Sequence, residues 1–123
     1  MRFFMYTLGD ERVPIPPPTP EDLARMGAFM AEATGAGVLV ATGAFAPSSG
    51  AKKVTYAGGS CTVTDGPFTE AKELIGGWAL VRTATVEEAI SWTERFLAVV
   101  GVEGAESRIR PVFGPEDLPP GVG

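Results

Sequence analysis

A chain of 123 residues, 45% hydrophobic and 20% charged, is one domain's worth of sequence and long enough to bury a core. A net charge of −5 and a pI near 4.7 argue against a nucleic-acid partner, which needs clustered Lys and Arg. Histidine is absent and cysteine occurs once, at Cys61. That removes a Ser-His or Cys-His pair, a histidine-ligated metal, a cysteine-cluster zinc site and an intrachain disulfide. No carboxylates stand at calcium-loop spacing, so neither a metal nor a cofactor is expected. No apolar run approaches the roughly 20 residues of a membrane span. The N-terminus has Arg2 but no signal-peptide core, so a cytoplasmic protein without a membrane partner is expected.

Residues 2–8 predict the first strand. Phe4, Tyr6 and Leu8 share one face, and Phe3 and Met5 the other. Two apolar faces imply that helices cover one and a second subunit covers the other, hence a homodimer; a loop of the same chain is the alternative cover. Residues 9–18 form a connector stiffened by Pro16, Pro17 and Pro18. Thr19 as N-cap, Pro20 in the first turn and the acids Glu21 and Asp22 predict a helix start. Leu23, Met26, Gly27, Met30, Ala31 and Thr34 keep helical spacing as its expected buried stripe. Gly35 and Gly37 end it.

Residues 38–44 read as the second strand and 46–50 as a loop whose Ser48 and Ser49 have no nearby base. Residues 52–57 and 60–64 make a hairpin over Gly58-Gly59. Residues 74–82 are the next strand, with Gly76-Gly77 marking a bulge or close approach. Thr85 and Glu88 form a capping box for a second helix running to about residue 100. Val86, Ala89, Ile90, Phe96, Leu97 and Val100 are its expected inner face. Residues 106–113 are the last strand, where Pro111 demands an edge, an end or a bulge. The domain is expected over 1–113, followed by a Pro/Gly-rich tail at 114–123.

Between the hairpin and the following strand lies Asp65-Gly66-Pro67-Phe68. Two roles are open to Asp65. It can fold back on the backbone as a turn residue, or stand at a cleft mouth as an acid, a base or a ligand contact. The turn is favoured, because such turns far outnumber catalytic aspartates. Arg108 and Arg110, two apart on a strand, share a face and can bind a carboxylate or phosphate; a solvated face is the commoner use of such a pair.

Asp65-Gly66-Pro67-Phe68, then Thr69-Glu70-Ala71-Lys72-Glu73, then Gly76-Gly77-Trp78, resembles the DGPF branch of the YCII-related domain proteins. An N-terminal Phe/Met/Tyr strand and a C-terminal Arg-x-Arg-Pro-Val strand extend the resemblance over most of the chain. It implies an α+β, ferredoxin-like domain with two helices on one face of an antiparallel sheet, paired as a dimeric α/β barrel. Activity in the family is largely unassigned. Better-known YCII-like relatives use a His-Asp pair, which cannot be carried over to a chain without histidine. Asp65 is then the catalytic candidate, with Phe68, Glu70, Lys72, Arg108 and Arg110 as ligand-binding candidates. A small-molecule-binding or enzyme-like domain is expected, with a pocket where strand ends, the 46–50 loop and the Asp65 corner approach. Members of the family often lie beside or fused to extracytoplasmic-function sigma factors, which implies a regulatory or protein-interaction module as the alternative.

Overall fold

The computed structural model describes residues 1–9, 16–66 and 74–117. In chain order they form β1 (Arg2–Gly9), α1 (Pro20–Gly35), β2 (Leu39–Ala44), β3 (Lys52–Ala57), β4 (Ser60–Asp65), β5 (Leu74–Arg82), α2 (Val86–Val100) and β6 (Glu106–Val112). Four strands make one antiparallel sheet in the order β2-β5-β1-β6, while β3 and β4 pair only with each other. The β1-α1-β2 and β5-α2-β6 units interleave their strands, so the domain is α+β with the expected ferredoxin-like arrangement. Among the described residues no helix is long and apolar enough to cross a membrane.

Local chemistry explains the boundaries. Thr19 accepts a bond from the Asp22 N–H, and the Asp22 carboxylate accepts one from the Thr19 N–H, a reciprocal cap under Pro20. Those bonds from Thr19, backbone first, hold the Asp22 carboxyl below its usual range. At α2 the box is offset. Thr85 accepts from the Glu88 N–H, but the Glu88 carboxylate accepts from Ala84 rather than from the cap itself. Gly58 and Gly59 both take positive φ, the backbone of a primed hairpin turn. The Gly76-Gly77 bulge is present: three steps on β5 oppose two on β1 between Tyr6 and Leu8. Pro111 sits on β6, an edge strand, where a missing N–H costs little.

The core lies on one face of the sheet. Phe3 and Met5 from β1, Ala79 and Val81 from β5 and Ala89 from α2 are buried together, with Val38, Leu39, Phe96 and Ile109 around them. The helices turn differently from the expected stripes. In α1, Met26, Phe29, Met30 and Ala33 face inward, whereas Leu23, Gly27, Ala31 and Thr34 are exposed. In α2, Val86 and Ile90 are exposed, and Trp92 and Thr93 replace them inside. Ring packing sets this phase. Phe29 meets Trp92 and Phe96 at 5.9 and 6.3 Å between centroids, which fixes how the two helices face one another.

Candidate functional site

Small residues at Ala33, Ala79 and Gly77 leave room beneath the helices that the large side chains do not fill. An apolar cavity of about 160 Å³ results, between the sheet and the α1–α2 pair. Met5, Met26, Met30, Phe29, Trp92 and Phe96 are among the side chains that line it. Thr7, Thr42 and Thr93 are the hydroxyls that reach it, and each has a partner elsewhere. Thr42 donates to the Trp78 carbonyl at 2.9 Å, Thr93 to the Ala89 carbonyl at 2.8 Å, and Thr7 bonds Ser107 at 2.7 Å. No described Asp, Glu, Lys or Arg lines it. Methionine sulfurs and ring edges favour an apolar, polarizable occupant.

Over the helix seam Arg95 stands 4.7 Å from the Trp92 ring centre and 5.4 Å from that of Phe29. It forms a fork with Glu32, at 2.6 and 2.7 Å. That bond holds the Glu32 carboxyl below its usual range and raises Arg95. The cavity thus has an ion pair and two rings tying its two helical walls together.

The far side of the sheet carries Phe4, Tyr6 and Leu8 of β1 with Trp78 and Leu80 of β5, all half-buried and left uncovered by the helices. Phe4 stacks on Trp78 at 6.0 Å, and the indole lies across Gly43 so closely that a Cβ there would stand 2.9 Å from it. Register puts Arg108 beside Tyr6 and Arg110 beside Phe4. Arg108 is exposed and bonds Glu106 at 2.8 Å; Arg110 is exposed at the same edge.

Asp65 ends β4, with its side chain 76% exposed and paired at 2.6 Å to Lys52 on the facing strand. It does not line the cavity. The 48–50 turn does approach the Asp65 corner, since the Gly66 N–H donates to the Ala51 carbonyl at 2.8 Å. Phe68, Glu70 and Lys72 lie outside the described residues.

Residues 1–109 match the family model of the YCII-related domain. The chain belongs to that family. No curated protein matches the sequence. In this YCII-related domain Asp65 and the arginine pair are on separate parts of the fold, one on the hairpin and one on the open sheet face. Sequence reasoning missed Phe29, Trp92 and Thr93. The signal available was the i, i+3, i+4 set Ala89, Trp92, Thr93 and Phe96, which is as regular as the stripe chosen. Among the described residues no group of three His, Cys, Asp or Glu is placed to hold a metal.

Proposed function

We propose that this YCII-related domain binds a small, neutral, apolar molecule in the cavity between its sheet and its helices. The observation that carries this is a 160 Å³ apolar space whose hydroxyls are all bonded elsewhere. Among the described residues a charged ligand would find no counter-charge there and would forfeit its hydration. Cavities of about 150 Å³ accept benzene, so one aromatic ring is the natural size class. Binding rather than acid–base chemistry is the function this favours; Asp65, ion-paired on the hairpin, then serves that element.

Thermal denaturation with benzene, indole and benzoate tests it. Benzene or indole should raise the melting temperature, with about 2.7 kcal/mol of stabilisation at 100 times Kd, while benzoate should not. Ala33→Leu, which fills the space, should abolish the shift without lowering the unliganded melting temperature. Equal shifts with benzoate, or none with any neutral ring, would contradict the assignment.

The uncovered aromatic face supports a second element of the proposal, a homodimer joined through the open sheet faces. Light scattering at micromolar concentration should give twice the 12.8 kDa chain mass.

A further inference from the structure

β3 and β4 continue the β2–β5 hairpin beyond the sheet. Phe45 still bonds Gly76 at 2.7 Å, after which the chain leaves β2 and, among the described residues, re-pairs as a separate two-stranded ribbon. The Gly66 N–H donates to the Ala51 carbonyl at 2.8 Å, which closes the base of the ribbon. Its two sides differ. Lys53, Thr55, Thr62 and Thr64 share one side, while Val54 opposite Val63 and Tyr56 opposite Cys61 share the other. Val54 and Val63 are each 63% exposed and Tyr56 74%. A two-stranded hairpin is marginal alone in water, and an apolar stripe on one side of it marks a contact surface. At its root Lys52 and Asp65 neutralise each other on this same side, so the stripe carries no net charge toward a partner.

We propose that this hairpin is a dimer arm whose Val54–Val63–Tyr56 side packs on a second copy of the chain, at the margin of that copy's open sheet face. The inference rests on the sheet-face dimer proposed above. Area favours this occupant. Four strands about 4.8 Å apart and about 20 Å long present a footprint of roughly 400 Å² per sheet face. Two such faces give about 800 Å², below the roughly 1,200 Å² at which stable interfaces begin. A ribbon about 20 Å long and 10 Å wide adds roughly 200 Å² per arm, and two arms bring the total to that threshold. The stripe itself is uncharged and apolar, and the margin it would cover is an edge strand, β2 or β6, beside the surface that the two sheets share.

Cys61 makes the test direct, because it is the single cysteine and lies exposed on the apolar side of the arm. Benzophenone maleimide is attached to Cys61 and a mixture of 15N-labelled and unlabelled chains is irradiated. The expected product joins a light to a heavy chain, with the far end of the link on an edge strand, within residues 39–44 or 106–112. Links confined to one chain, in a sample that scatters as a dimer, would overturn the arm while leaving the sheet-face dimer standing. A monomer by light scattering would overturn both. Independently, V54K/V63K should raise the dimer dissociation constant at least 10-fold with an unchanged circular dichroism spectrum, and an unchanged constant would overturn the arm. Should that variant fail to fold, the cross-link decides.

Discussion

On the helix side of β1, Phe3 is 0% exposed and Met5 8%. On the other side of the same strand, Phe4, Tyr6 and Leu8 keep part of their surface in solvent. The residues are equally apolar, and what differs is the cover. The helix side is closed by α1 and α2, with a small void left under them. The open side is aromatic and rimmed by Arg108 and Arg110. Apolar residues on both faces of one strand therefore meet two fates here, one face closed by the chain's own helices and the other left open by them.

The sharpest way to break this comparison is to truncate each side in turn. Phe3→Ala should cost about 3–5 kcal/mol in chemical denaturation, since it empties a fully buried site. Phe4→Ala should cost less in a dilute, monomeric sample and act mainly by weakening self-association. Equal losses at both positions would mean that the two faces are covered alike. Next in size is Gly43→Ala. The new methyl meets the Trp78 indole, and displacing it should cost about 1–3 kcal/mol and change Trp78 fluorescence. Denaturation midpoint and emission maximum read both effects.

Smaller effects belong to the exposed charges. Asp65→Asn and Asp65→Ala both break the pair with Lys52 and should leave the denaturation midpoint close to that of the parent, because exposed ion pairs contribute little. A marked loss with Ala and none with Asn would instead assign Asp65 an acceptor role in the turn. The smallest effect is expected from acid. Glu32 is held below its usual pKa in the folded state by Arg95, so its contribution is present above the ordinary carboxylate range. It is lost as pH falls through the lowered folded value. Glu32→Gln should flatten that part of the stability–pH curve, and an unchanged slope would show that the fork does not act in solution.

Much of the fold was legible because local chemistry wrote it. Thr19, Pro20 and Asp22 mark a helix start, Gly58-Gly59 a turn, Gly76-Gly77 a bulge and Pro111 an edge. The phase of α1 was not legible. Leu23, Ala24, Met26, Gly27, Ala28, Phe29, Met30, Ala31 and Ala33 place apolar or small residues on nearly every side, so periodicity does not choose between stripes. Contact of Phe29 with Trp92 and Phe96 chooses, and those are residues distant in sequence. The cavity escapes notice for the same reason, since its wall is assembled from five elements and carries no motif. The hairpin was visible as a hairpin, yet its departure from the sheet was not, because an arm and a sheet strand share the same two-residue alternation. The Asp65 corner drew attention as a motif, and the carboxylate stands on the arm, away from the cavity.

Both of the chain's two tryptophans border the cavity, but the Trp78 ring stacks on Phe4 of the open face while the Trp92 ring packs on Phe29 between the helices. One measurement therefore tests the claim that the open face is covered by a second copy. The Trp92→Phe protein, which retains only Trp78, is diluted from micromolar to low nanomolar concentration while its emission is recorded. The account predicts a red shift and greater acrylamide quenching as the dimer dissociates and Trp78 meets water. A Trp78 emission that stays constant, solvent-exposed at every concentration, would contradict it.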